Sequence, residues 1–146
     1  ADICKEYDLS VQQAIRSCKH SGKICLILPD GFFSNSRDRY LRELVSAHCK
    51  IRAIISLPKG VFKRGHDSKI KGKGASKASM KMSILYCEKY TKLKKKASDN
   101  YRVFLASILE PSSTKGEILE WIKQPLDFVK EQFLYWQSKK KLKINE

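Results

Sequence analysis

A dense run of basic side chains is the first candidate for chemistry in this sequence. Between residues 59 and 81 the chain carries one acid, Asp67, and four of its seven glycines. The basic residues there are Lys59, Lys63, Arg64, Lys69, Lys71, Lys73, Lys77 and Lys81. Lysine mixed with glycine favours electrostatic contact with phosphates over the reading of bases. The alternative interpretation is a flexible, solvated insertion.

Asp30 and Phe32 are the second candidates. They follow a short apolar run that ends at Pro29, and they flank Gly31. If that run is a strand of a parallel sheet, both residues lie at its carboxyl end, where doubly wound folds bind ligands. We therefore expect Asp30 and Phe32 to border an active-site cleft. The alternative for Asp30 is a turn residue that hydrogen-bonds its own backbone.

Cysteine and histidine offer little chemistry. The five cysteines, at positions 4, 18, 25, 49 and 87, include no CxxC pair, and His20, His48 and His66 are scattered. This spacing predicts no metal site and no disulfide framework, and it disfavours a thiol nucleophile. Reduced thiols and the absence of a secretion signal indicate a cytoplasmic protein.

Composition limits the function classes further. The chain has 146 residues, with 30 Lys+Arg against 15 Asp+Glu and a formal charge of +15. Such a charge favours a polyanionic partner, because neutralised phosphates release counterions. An apolar content of 42% argues against wholesale disorder. No apolar run approaches the roughly 20 residues of a membrane span.

Hydrophobic spacing predicts the elements that position these residues. Helical spacing covers residues 8–20 and a second stretch around Tyr40–His48, whereas short apolar runs indicate strands. The predicted strands are Lys23–Leu28, Ile51–Leu57, Met82–Cys87 and Tyr101–Leu109. This alternation predicts an α/β fold with a parallel sheet over residues 1–109. Residues 110–146 form a predicted helical tail, which Pro125 divides into two helices.

Four segments in order resemble N6-adenine DNA methyltransferases, specifically the modification subunits of type I restriction–modification systems. The resemblance spans Ser21–Lys89 and extends to the YRVFLA segment at Tyr101–Ala106. Its motifs are the LPDG turn at Leu28–Gly31 followed by Phe32, Arg37 with the Tyr40–Leu44 helix, ISLPKGVF at Ile55–Phe62, and SIL at Ser83–Leu85.

The resemblance implies the C-terminal half of a Rossmann-like S-adenosylmethionine-dependent methyltransferase sheet. The strands would be the fifth, sixth and seventh of seven, the last one antiparallel. Phe62 would stack on a flipped adenine in double-stranded DNA, as enzymes that act on a base within a duplex require. The alternative is that Phe62 packs under the loop as a core residue. The family's glycine-rich donor turn and its Asn-Pro-Pro motif are missing from these 146 residues. We therefore expect them upstream of Ala1, and we expect the chain alone to be inactive.

Partners and alternatives follow from the same resemblance. Type I enzymes combine modification, specificity and restriction subunits, and the apolar stripe Ile118–Trp136 of the tail is a plausible contact surface. A half-sheet would also expose a strand edge, which favours self-association. The main alternative is a non-enzymatic, basic nucleic-acid-binding module. A methyltransferase acting on RNA is a less favoured third interpretation.

Overall fold

The computed structural model describes residues 6–61, 81–92, 101–109 and 122–142. The chain divides into two compact units, Ala1–Ser56 with Ser83–Ala106 and Leu57–Met82 with Ser107–Glu146. The helices are α1 (Glu6–Ser17), α2 (Asp30–Ser34), a 3-10 turn (Ser36–Asp38), α3 (Arg39–His48) and α4 (Lys123–Leu142). The strands are β1 (Lys23–Pro29), β2 (Cys49–Ser56), β3 (Met82–Lys89) and β4 (Phe104–Ser107).

The four strands form one sheet in the order β1-β3-β2-β4. β3 pairs antiparallel with β2, from Cys49 opposite Lys89 to Ser56 opposite Ser83. The start of β1 lies beside the end of β3, because Ser21 and Gly22 exchange backbone hydrogen bonds with Lys89. β3 therefore runs against both neighbours, and β1 and β2 run parallel to each other without touching. The prediction of a parallel sheet from the helix–strand alternation is therefore wrong for β3, which is antiparallel to both of its neighbours. The family resemblance implied an antiparallel last strand of the methyltransferase sheet; β3 corresponds to that strand, and this expectation is confirmed.

One face of the sheet carries the core of the first unit. Helices α1 and α3 present apolar side chains at helical spacing, and the strands present alternate residues. The buried cluster consists of Val11, Ile15, Ile24, Leu28, Phe32, Leu41, Val45, Cys49, Leu85 and Cys87. On the other face of β1, Cys25 is exposed and Ile27 is 46% exposed. β1 is thus an outer strand with one apolar face open to solvent.

Hydrogen bonds between side chains fasten α1 to α3 and to the 3-10 turn that precedes it. The Tyr7 hydroxyl donates to Asp38 at 2.7 Å, and the Tyr40 hydroxyl donates to Asp8 at the same distance. Both aspartates are buried, where a carboxylate requires hydrogen-bond partners. Tyr40, expected on the apolar face of its helix, is half-exposed and reaches its buried partner with its hydroxyl.

A bulge at Arg52 interrupts the pairing of β2 with β3. The register shifts between Ile51 and Ala53, and Arg52 forms an ion pair with Glu88 at 2.9 Å. The backbone N–H of Ile51 donates to the Tyr101 hydroxyl at 3.3 Å. Tyr101 therefore contacts β2 through its side-chain hydroxyl and is not part of a strand. The fourth strand, β4, begins at Phe104, three residues later than predicted.

The second unit contains α4. This helix runs unbroken from Lys123, with Pro125 in its first turn, where a missing N–H is tolerated. Any helix before residue 122 lies outside the described residues. Phe133 stacks on Trp136 at 5.8 Å, while Phe128, Leu134 and Tyr135 are exposed. Within the described ranges no helix has the length and apolar character that crossing a bilayer demands.

Candidate functional site

Asp30 lies where β1 gives way to α2. Pro29 ends the strand in extended conformation, and Asp30 is the first residue of the short helix. Its carboxylate oxygen Oδ1 accepts a hydrogen bond of 2.8 Å from the hydroxyl of Ser83 near the start of β3. This contact holds a half-buried carboxylate at the carboxyl end of β1. The position agrees with the sequence expectation, and the role of Asp30 in a cleft stays a prediction.

Phe32 points into the core. Its side chain is 2% exposed and meets the rings of Tyr7 and Phe33 edge to face, at centroid distances of 6.4 and 5.1 Å. Such edge-to-face packing is favourable for aromatic side chains. In the first unit the ring therefore packs beneath the corner formed by Asp30 and Gly31. Its proposed place in a cleft stays a prediction.

Gly31 leaves the surface open beside Asp30. It is exposed, and a Cβ atom built on it would have no neighbour within 4 Å. A ligand can therefore approach the backbone closely at this point. We call Asp30 and Gly31 the β1 corner.

Arg42 secures the far end of α2. Its Nη1 donates to the carbonyl oxygens of Phe32, at 2.7 Å, and Asn35, at 2.8 Å. Neither Arg42 nor the Ser83 hydroxyl was expected from the sequence as a support of the β1 corner. Ser83 is 53 residues from Asp30 in the chain, so no local pattern reveals the contact. The only sequence feature that distinguishes Arg42 is its position midway along a helix with an apolar face.

Of the eight basic residues of the segment 59–81, two lie within the described residues. Lys59 and Lys81, at the two ends of the basic segment, are exposed. Phe62, the predicted stacking aromatic, lies outside the described residues. So do the remaining predicted phosphate contacts, which are Lys63, Arg64, Lys69, Lys71, Lys73 and Lys77. The grouping of the eight basic residues around a nucleotide stays a prediction.

Two buried thiols face each other in the sheet. Cys49 and Cys87 lie on neighbouring strands and both belong to the buried core. A hydrogen bond to Cys49, together with burial, holds the pKa of the Cys87 thiol far above its ordinary value, and the same bond lowers the pKa of Cys49. Burial of this kind makes the Cys87 thiol inert. Among the described side chains, no cluster of three or more His, Cys, Asp or Glu could hold a metal ion.

Comparisons with known proteins agree with this geometry. Among solved structures, the chain is similar to a candidate class I S-adenosylmethionine-dependent methyltransferase from Listeria monocytogenes. The likeness has a TM-score of 0.52 and 23% identity, and it covers 91% of this chain but 36% of the Listeria chain. It establishes a Rossmann-like methyltransferase fold. None of the curated proteins matches the chain.

The family comparison covers both halves of the first unit. The family model described as N-6 DNA methylase matches residues 5–108, which is more than half of the chain. That range contains every strand of the sheet, the β1 corner and the basic segment between β2 and β3. The chain therefore belongs to the N-6 DNA methylase family.

Proposed function

We propose that this chain supplies the closing strands of an S-adenosylmethionine-dependent methyltransferase that methylates N6 of adenine in double-stranded DNA. The observation that carries the proposal is the antiparallel β3, inserted between β1 and β2 within the range of the family match. The resemblance expects this arrangement of the last strand. The proposed location of this methylase is the cytoplasm, as expected from the sequence.

The donor site belongs to residues outside these 146. The sequence contains no Asn-Pro-Pro, and its one G-x-G, Gly72-Lys73-Gly74, lies within the basic segment rather than directly after an apolar strand-like run. The described residues carry neither motif, so they do not fit the donor and no catalytic step is assigned to them. S-adenosylmethionine supplies the methyl group when it is bound. The chain spans 36% of the Listeria methyltransferase chain, which leaves ample length for a donor site in a longer protein. The outer position of β1 in the sheet suits pairing with further strands.

The contribution of this chain is to bind the DNA substrate. The formal charge of +15 favours a polyanion, and Lys59 and Lys81 place exposed ammonium groups at both ends of the basic segment. Phe62 follows the LPKGV turn directly and is the proposed stacking partner of the flipped adenine. Within the first unit, Asp30 and Phe32 are the residues proposed to border the active-site cleft.

The proposed assembly is a type I restriction–modification complex with specificity and restriction subunits. Support comes from α4, whose exposed Phe128, Leu134 and Tyr135 offer an apolar surface. Deletion of residues 115–146 from the full-length protein should abolish its co-purification with the specificity subunit. Unchanged co-purification would contradict this role of the tail.

The test of the proposed function is a methyl-transfer assay on the native, full-length protein with its co-purifying subunits. The probes are labelled S-adenosylmethionine and double-stranded DNA, with RNA of the same sequence as the comparison. We expect label in N6-methyladenine from DNA. Binding of DNA without transfer would favour the non-enzymatic binding module, and label in RNA alone would favour an RNA methyltransferase; either result would overturn the proposal.

A further inference from the structure

Arg42 ties the segment after β1 to α3. The last carbonyls of a helix lack partners within the helix. Arg42 supplies a donor to the Phe32 carbonyl of α2, and it adds a second donor to the Asn35 carbonyl, which also accepts from the backbone N–H of Asp38 at 3.2 Å. Nη1 of Arg42 bonds the carbonyl oxygens of Phe32 and Asn35 at 2.7 and 2.8 Å, both within the range of charge-assisted hydrogen bonds. Arg42 itself is only partly exposed, so these bonds are shielded from full competition by water.

The opposite end of the same segment is also anchored. The Ser83 hydroxyl donates to the Asp30 carboxylate, and the Ser34 hydroxyl donates to the Asp30 carbonyl at 3.3 Å. The Phe32 ring packs in the core beneath. Between these anchors Gly31 is exposed, with open space where a Cβ would stand. The β1 corner is therefore held at both ends and accessible between them.

We propose that Arg42 is a positioning residue of the methyltransferase, which keeps the β1 corner in place against the target nucleotide. This inference rests on the proposed function. Arg42 touches neither base nor donor in this account; it acts through the carbonyls of Phe32 and Asn35. A misplacement of about 1 Å at a reacting centre can lower a rate by roughly a hundredfold, so loosening α2 affects turnover more than affinity.

The neighbouring helix position offers a matched control. Arg39 lies three residues earlier on α3, and its contact is an exposed ion pair with Glu43, one turn away. Arg39→Gln and Arg42→Gln remove the same charge from the same helix. Arg42→Lys keeps the positive charge and supplies an ammonium donor. The reach and the hydrogen-bond geometry of the ammonium differ from those of the guanidinium.

The experiment measures kcat and KM for DNA methylation by the full-length protein with its co-purifying subunits. We expect Arg42→Gln to lower kcat by about tenfold or more with KM for DNA changed less than about twofold. Arg42→Lys should recover part of the loss, and Arg39→Gln should match the wild type. Equal kcat for Arg42→Gln and Arg39→Gln would overturn the proposal, as would a rise in KM alone.

Hydrogen exchange of the peptide that spans residues 30–38 separates positioning from global folding. We expect faster exchange there in Arg42→Gln, with the β2 and β3 peptides unchanged. If Arg42→Gln unfolds, Arg42→Lys becomes the deciding variant: faster exchange of residues 30–38 together with a normal kcat would overturn the proposal. If the wild-type complex methylates nothing, the proposed function fails, whereas the exchange result still decides whether Arg42 holds α2.

Discussion

The hydroxyl of Ser83 donates a 2.8 Å hydrogen bond to the carboxylate of Asp30, across 53 residues of sequence. The bond joins the first paired residues of β3 to the residue that follows β1. Because β3 runs antiparallel between β1 and β2, its beginning lies at the carboxyl ends of both. The inner strand β3 therefore also supports the candidate site.

Ser83→Ala should destabilise the first unit. Ser83 is buried, and hydrogen bonds to charged groups contribute about 1.5–3 kcal/mol. We expect a loss of about 1–3 kcal/mol in the free energy of unfolding, measured by urea titration. Ser107→Ala, at an exposed serine of β4, is the control and should stay within about 0.5 kcal/mol of wild type. Equal stability of the two variants would show that the bond contributes nothing.

Gly31→Ala should separate stability from function. The added methyl meets no atom within 4 Å, and alanine in a helix is favoured over glycine by about 0.5–1 kcal/mol. We therefore expect an unchanged or higher Tm together with weaker methyl transfer, because the methyl enters the open space of the β1 corner. Methyl transfer equal to wild type would argue that no nucleotide approaches Gly31.

Gly22→Ala is the matched comparison for folding. A Cβ there would stand 2.5 Å from the Cys18 sulfur and 2.7 Å from the Lys19 carbonyl oxygen. Backbone crowding of this kind forces a shift, so Gly22→Ala should lower the Tm. We thus expect the same substitution to leave the Tm unchanged or higher at Gly31 and to lower it at Gly22.

Lys89→Met should loosen the end of α1. The Lys89 ammonium donates to the carbonyl oxygens of Ile15 and Cys18, both at 2.7 Å, at the end of the helix. Methionine keeps an apolar stem but no donor, so we expect a loss of about 1–3 kcal/mol in the free energy of unfolding. Hydrogen exchange should rise in residues 14–19. Lys92→Met, at an exposed lysine, should leave both measurements unchanged, and an equal response of the two variants would contradict the capping role.

Much of the first unit could be predicted from the sequence, because apolar residues recur along its helices and strands with the period expected when one face of each element is buried. Leu41 and Val45 are buried as their spacing predicts, and β1 differs from the predicted strand only by the inclusion of Pro29. The order of the strands could not come from periodicity, which says nothing about pairing partners. That knowledge came from the family resemblance.

The supports of the candidate site were beyond sequence reasoning for a different reason. Arg42 donates hydrogen bonds to backbone carbonyls. Because every residue type has a backbone carbonyl, the sequence does not indicate which residues accept these bonds. The Tyr7–Asp38 and Tyr40–Asp8 pairs likewise bring together residues more than thirty positions apart. Tyr101, predicted to start a strand, instead offers its hydroxyl to the bulged β2.

The Cys49–Cys87 pair predicts a decline of stability in alkali. The pKa of Cys87 is raised in the folded state, so above the ordinary thiol pKa of 9.0 the unfolded chain loses a proton that the folded chain retains. The free energy of unfolding should therefore fall as the pH rises above about 9. Cys87→Ala should reduce this dependence in urea titrations across pH 7–10. An identical pH profile for wild type and variant would contradict the buried, neutral thiol.

The most direct measurement is the N6-methyladenine content of DNA from the protein's own cell, mapped by sequence context before and after disruption of the gene. We expect one methylated sequence motif to disappear on disruption and to return when the gene is restored, whereas a restored Phe62→Ala form should return it weakly. An unchanged set of methylated motifs after disruption would contradict the account.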